Sequence, residues 1–445
     1  MAEEFNLPWV ETQVAQIARV WCDCGDLPLP AMPRFDRRDH RIREKASDNG
    51  QSAVERELRR ARRSKAERLA LQDRVIASFA HFAGTALDLE PDAINLISND
   101  FLPAGTELAR WARKFDPALT QADITQACRN AWTACGLQLL LGERAVLTPS
   151  ILGYSLLYPY TDNYLDRRDI TAGSKIEFSS RLRDRLRGDN ISARDGQESA
   201  TWALVELIES QYPRAFYPQV FDCLLAIHHA QEESLAQLRS DALRNDAEVL
   251  RITCAKGGAS VLADACFVRG WLDERESQFA FAWGVLLQLG DDLQDVREDL
   301  QRGSVTLFTR AIALGLPLDS PITQLLNFSE RVGAAMDALP TGTQTLKNLM
   351  RMSWRSLIIA AVAHASDFVS PAFLSEAESR SPFRFDFLRA RQKRLTARRG
   401  LYEVLFDAFL ETRPEMGEDA PNEAAEKFQF CNWARFQSLR KKPEF

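Results

Sequence analysis

Aspartates spaced four residues apart recur in two segments of the chain, and that spacing is its first feature able to do chemistry. In the run from Leu156 to Asp169 (Leu-Leu-Tyr-Pro-Tyr-Thr-Asp-Asn-Tyr-Leu-Asp-Arg-Arg-Asp), Asp162 and Asp166 share one face of a helix. In the run from Gly284 to Gly303, Asp291, Asp295 and Asp299 repeat the step twice, drifting about 40° per step at roughly 100° per residue. Asp292 points about 100° away from Asp291 and is the weaker candidate. Carboxylates stacked in this way repel. At about 6 Å and an effective dielectric near 20 each pair costs about 3 kcal/mol, equivalent to about two pKa units. The second stack directly follows the apolar run Gly284-Val-Leu-Leu-Gln-Leu, so it needs a counter-charge. Hard divalent cations take oxygen ligands, and Mg²⁺ is usually held by one or two carboxylates together with substrate phosphates. Two such helices facing each other would form a funnel that clamps a diphosphate through metal ions. A lone Asp-x-x-x-Asp is more often a solvated helix face. Two of them, each flanked by apolar or aromatic residues, favour the metal.

A cationic arm should accompany the metals. Arg167 and Arg168 follow the first cluster, Lys256 sits in Ile-Thr-Cys-Ala-Lys-Gly-Gly-Ala-Ser, and Arg302 follows the second cluster. Gly257-Gly258 within an otherwise helical run costs about 1 kcal/mol per glycine relative to alanine, and so marks a helix break or a close approach. Charge arithmetic agrees with such a set: five aspartates and a diphosphate near −3 sum to about −8, which about three Mg²⁺ and two cations would neutralise.

The elements that must position these groups read as helices. Around 200–240 the apolar residues Trp202, Val205, Ile208, Val220, Leu224 and Ile227 recur at steps of three and four, and alternating strand patterns are absent, so the fold class is expected to be all-α. The chain has 445 residues, 45% hydrophobic and 27% charged, which excludes a disordered or fibrous protein. Its 56 Lys and Arg against 62 Asp and Glu, net −6, argue against a mainly electrostatic nucleic-acid binder. Eight cysteines sit mostly in apolar runs and read as reduced, buried thiols, with no second pair to complete a zinc site beside Cys22-Asp23-Cys24. The acidic start Met-Ala-Glu-Glu has no apolar signal region and no run reaches membrane-spanning length, so a cytoplasmic protein is expected, with room for peripheral membrane contact. Three regions follow from composition. Residues 1–110 form a charged helical extension whose 34–75 stretch reads as a solvated, salt-bridged helix, 111–370 the chemical core, and 371–445 a linker (Pro371 to Pro382) with a basic helical tail.

At these residues the chain resembles a family. Asp162-Asn-Tyr-Leu-Asp-Arg and Asp291-Asp-Leu-Gln-Asp-Val-Arg-Glu-Asp resemble the two aspartate motifs of class I isoprenoid (terpenoid) synthases. Lys256-Gly-Gly-Ala-Ser-Val-Leu, followed by the second motif and Gly303-x-x-Thr-Leu, is similar to trans-prenyltransferases. The form of the two motifs is closer to the large terpene synthases of the tetraprenyl-β-curcumene synthase type. Thr161 stands where trans-prenyltransferases carry the first Asp of Asp-Asp-x-x-Asp, and the Asn-Asp-x-x-Ser-x-x-x-Glu motif of typical sesquiterpene synthases is absent. The likeness spans roughly residues 120–310. It implies an all-α bundle around a central apolar cavity, with Mg²⁺ held by Asp162, Asp166, Asp291, Asp295 and Asp299. Of these, Asp162, Asp166, Asp291 and Asp295 would be catalytic, and a prenyl diphosphate would be gripped by Arg167, Lys256 and Arg302. Tyr154, Tyr158, Phe281, Gly284 and Gln288, one and two turns before the motifs, would lie beneath the metals with Trp132, where aromatic faces stabilise a carbocation by about 0.5–2 kcal/mol each. The leading expectation is a terpene synthase. A prenyltransferase joining prenyl diphosphates and an inactive helical scaffold of the same fold are the alternatives, and a homodimer is compatible with each of the three. A carboxylate-bridged di-iron bundle would require paired Glu-x-x-His motifs, which are lacking around His228 and His229.

Overall fold

The computed structural model describes residues 7–25, 27–60, 64–167, 169–238 and 245–411, and among them there is no strand. In chain order the helices are α1 (Leu7–Asp23), α2 (Arg37–Arg60), α3 (Lys65–Ala86), α4 (Pro91–Leu96), α5 (Leu102–Phe115), α6 (Gln121–Leu140), α7 (Pro149–Asp166), α8 (Ala172–Arg187), α9 (Gly196–Gln211) and α10 (Pro218–Ser234). The second half holds α11 (Asp246–Arg269), α12 (Glu274–Gln294), α13 (Val296–Arg302), α14 (Leu307–Ala313), α15 (Asp319–Asp337), α16 (Gln344–His364), α17 (Pro371–Glu378), α18 (Phe385–Ala397) and α19 (Arg399–Leu410). The chain is all-α, and none of the described helices is long and apolar enough to cross a membrane.

Local chemistry starts these helices where the site needs them. Thr120 and Asp123 form a reciprocal capping box at the head of α6, and Asp273 and Glu276 another at the head of α12. Each such cap is worth about 1 kcal/mol. Thr148 caps α7, with Pro149 in the first turn, where a missing N–H costs nothing. α11 begins at the Asn245 cap and stops at Gly270, whose φ of 85° is the left-handed conformation that ends helices.

α11 and α12 are the central pair, and small residues let them meet. A Cβ on Gly284 would stand 2.0 Å from the Gly257 carbonyl oxygen, and one on Gly258 would stand 2.4 Å from the Phe281 ring. Of the two roles open to the glycine pair, close approach is the one found, because α11 runs unbroken through it. Around this pair one hydrophobic core extends from Val10 in α1 to Phe385 in α18, across positions 110 and 370 alike. A separate small cluster joins Leu58 of α2, Leu71 of α3 and Ala408 of α19.

Two expectations about the flanking regions are corrected. Pro371–Glu378 is not a linker but α17, started by the Ser370 cap and burying Ala377. The 34–75 stretch is salt-bridged as expected, with Arg59 meeting Glu55 at 3.8 Å and Arg74 meeting Glu57 at 2.6 Å, but it is divided between two helices and one face of α2 is buried rather than solvated. On α2, His40, Glu44, Ser47, Gln51 and Glu55 recur every three or four residues and are all buried. Their partners lie far along the chain: Glu44 accepts from Arg384 Nε at 2.9 Å, Ser47 from Arg391 at 2.7 Å, and Glu55 pairs with Arg398. Asp48, on the same helix, receives Arg394 at 2.9 Å. The basic segment at the start of the C-terminal region is thus the counterpart of the acidic stripe on α2.

Candidate functional site

The second aspartate stack survives a change of helix. Asp295 N–H donates to Asp291 O at 2.8 Å and Asp299 N–H to Asp295 O at 2.9 Å, so the four-residue ladder carries on from α12 into α13. Asp291 accepts from Arg129 of α6 at 2.8 Å. Burial raises the Asp291 pKa above its ordinary value, Arg129 draws it down, and Asp295 raises it again. Asp299 is pushed up to about 6, first by burial and then by Asp295. Asp295 is exposed. Asp292, turned away from the stack as its position on the helix requires, is buried. It accepts from Gln288 Nε2 at 2.9 Å, and burial pushes it up to about 7.

The first motif closes α7. Asp162 is half-buried, and neighbouring Asn163 donates to Asp123 of α6 at 2.8 Å. Asp166 is the last residue of α7, and its side chain lies outside the described residues, as does Arg168. Both motifs are therefore fastened to α6, the first through Asp123 and the second through Arg129. These positions are six residues, or about 9 Å, apart along the helix.

The three expected diphosphate ligands part ways. Lys256 forms no ion pair among the described residues and stands close enough to Asp291 and Asp292 to lower both. Arg167 is exposed and bound to Asp169, Nε to Oδ1 at 3.0 Å, because the backbone turns extended directly after α7. Arg302 is exposed and meets Glu298 on its own helix at 3.3 Å, although its charge still draws Asp299 down. Arg129 is the cation at the second motif that sequence reasoning missed. Its only signal was a lone charge in the small-residue run Ala-Cys-Arg-Asn-Ala-Trp.

Asp291, Lys256 and Arg129 face a cavity of about 1160 Å³. Of the expected lining residues, Tyr158, Trp132, Gly284 and Gln288 stand on its wall. Tyr154 and Phe281 do not, and both are core. Tyr154 is 3% exposed and donates to Ser260 O at 3.1 Å, while the ring of Phe281 fills the space left by Gly258. Trp132 is held in place from the N-terminal side. A π-helical turn, Ile97–Phe101, joins α4 to α5, and the Phe101 carbonyl accepts the Trp132 indole N–H at 2.8 Å. Gly105 leaves room for the ring. Such π turns occur often at functional sites. The remaining wall is mainly apolar, with residues from α3, α16 and α19 as well as the central helices.

Among the described residues, no three or more His, Cys, Asp or Glu side chains gather into a group that could hold a metal ion. No known family model matches the chain, and no curated protein matches it.

Proposed function

We propose that the protein is a Mg²⁺-dependent terpene synthase that ionises a prenyl diphosphate to a terpene hydrocarbon or alcohol. The observation that carries this reading is one large apolar cavity bearing Asp291, Lys256 and Arg129 on its wall, next to a ladder of three aspartates. The donor set suits a hard cation. It consists of oxygens only, and Asp291 and Asp299 are held above their ordinary pKa by burial and by Asp295, offset in part by Arg129 and Lys256 at Asp291 and by Arg302 at Asp299. An open carboxylate set of this kind matches a metal that is also held by its ligand's phosphates.

Asp162, Asp166, Asp291, Asp295 and Asp299 would hold Mg²⁺, which supplies charge stabilisation to a leaving diphosphate. Lys256 acts as a point charge on a diphosphate oxygen, and Arg129, released from Asp291, offers planar donors to another. Trp132 and Tyr158 line the path of the allylic cation, and the apolar wall keeps water from quenching it. Arg167 and Arg302 would have to leave Asp169 and Glu298 to take part.

The test is a panel of geranyl, farnesyl, geranylgeranyl and longer diphosphates, each with and without isopentenyl diphosphate, followed by gas chromatography of the organic extract. A terpene from a single substrate is the expected result, whereas a requirement for isopentenyl diphosphate makes the protein a prenyltransferase. Asp162→Ala and Asp295→Ala should each abolish Mg²⁺-dependent diphosphate release with the melting temperature unmoved. Turnover unchanged in both variants refutes the metal assignment.

A further inference from the structure

The cavity is completed by parts of the chain far from either motif. Val75, Ile76 and Phe79 of α3 and Leu405, Phe406 and Phe409 of α19 line the same space as Asp291 and Lys256. All six are large and apolar, yet each is only half-buried. Side chains of this type are ordinarily fully buried when they serve a core. Val75 and Leu405 also pack against the small cluster of Leu58, Leu71 and Ala408 that joins the two helices, and Phe406 against the main core, while the rest of their surface borders the cavity.

The wall is also clasped in place. Arg110 of α5 donates to the carbonyls of Phe409, Leu410 and Glu411, at 3.1, 3.0 and 2.6 Å. Gln72 of α3 donates to the Ala408 carbonyl at 2.6 Å and to that of Glu411 at 3.1 Å. Arg68 pairs with the Glu411 carboxylate, and the Arg113 guanidinium covers the Phe406 ring at 5.9 Å. The orphan carbonyls that end any helix thus find donors on both α3 and α5. That arrangement fixes the aromatic face of α19 toward the cavity.

We propose that α3 and α19 form the wall against which the apolar tail of the diphosphate ligand packs, so that Phe79, Leu405, Phe406 and Phe409 determine which chain length the protein accepts. The inference rests on the reading of the site given above. It adds that specificity is set by the two flanking regions of the sequence, outside the stretch that carries the motifs. The cavity volume of about 1160 Å³ lies above the range of roughly 300–1000 Å³ typical of drug-sized ligands, so a short tail would leave much of this wall uncovered.

The experiment is calorimetric binding of non-hydrolysable thio-diphosphate analogues of the geranyl, farnesyl, geranylgeranyl and longer chains to the full-length protein in Mg²⁺ buffer. Leu405→Trp and Phe79→Trp narrow the space, and Phe406→Ala and Phe409→Ala widen it. All are checked by circular dichroism, and either member of each pair suffices. Narrowing should weaken the longest analogues by about tenfold or more, the scale that misfit methylenes command in an apolar pocket, and leave the shortest within about twofold. Widening should move the preference toward longer chains. If folded variants keep the wild-type ranking of chain lengths, the wall assignment is overturned while the diphosphate site stands. If the wild-type protein binds none of the analogues, the site reading itself falls and takes the wall with it.

Discussion

The Asp291 carboxylate meets Arg129 at 2.8 Å with both side chains about half exposed, at 57% and 45%. An ion pair so accessible contributes about 0–1 kcal/mol to stability. Under the proposed function its place at the cavity serves the ligand rather than the fold. Arg129→Met, which keeps the aliphatic stem, should leave denaturant stability within about 1 kcal/mol and weaken binding of inorganic diphosphate in Mg²⁺ buffer. A large loss of stability with unaltered affinity would assign Arg129 to structure instead. One turn of α11 beyond Ser260, the buried Asp264 carboxyl has no hydrogen-bond partner among the described residues, and burial pushes it well up, as it does Asp292. A carboxyl raised in the folded state contributes stability that is whole below its unfolded value near 3.8 and is lost as pH climbs to the folded value, about 7 for Asp292. In metal-free buffer, wild-type stability should therefore fall between pH 4 and 7 relative to Asp292→Asn, by up to a few kcal/mol. Parallel pH curves for the two proteins would show that Asp292 ionises normally.

At the scale of elements, the α11–α12 contact leaves no room for a methyl group. Gly284→Ala puts a Cβ against the Gly257 carbonyl, so the helices must separate, at a cost toward the upper end of about 1–3 kcal/mol. Thermal denaturation of the variant measures this, and an unshifted melting point would mean the pair is less tightly packed than described. Much of this level was legible in the sequence. The three-and-four periodicity implied helices throughout, and the Gly257-Gly258 pair named close approach as one of its two roles. The misreadings have physical causes. Pro371 to Pro382 looked like a linker because it is poor in large apolar residues, yet Ser370-Pro371 carries a cap and a first-turn proline that start α17. Arg129 could not be tied to Asp291 because 162 residues separate them, and a cation's partner across such a distance leaves no local pattern. Tyr154 and Phe281 were placed on the cavity by helical phase alone, which says nothing of a neighbour such as Gly258 that admits a ring into the core.

For the whole molecule, one hydrophobic core unites α1 with the central helices, so the composition shifts near positions 110 and 370 do not mark breaks in packing. What the flanks add is a second, polar mode of joining. The buried polar stripe on α2, with Glu44 and Glu55, and the arginines on and at the ends of α18 hold the two regions together, and α3 with α19 carries that union down to the cavity. Breaking a buried pair leaves an uncompensated charge. Glu55→Ala should lower stability modestly, less than for a fully buried pair, because the charge left behind, on Arg398, is 41% exposed. The same variant should loosen α19 before the core, which hydrogen exchange of residues 399–410 would register as early loss of protection. Protection lost uniformly across the chain would refute that order.

The pairing of Glu44 with Arg384 spans 340 residues, and this has a consequence for the timing of synthesis. At about 5–20 residues per second, a ribosome reaches Arg384 roughly 20–70 s after it has made Glu44. Throughout that interval the acidic stripe of α2 has no arginines to meet, and α3 has no α19 to share its apolar face. α2 and α3 therefore lack these partners until the segment from Arg384 to Leu410 has been made. A nascent chain stalled before residue 380 carries both aspartate motifs but no finished cavity wall.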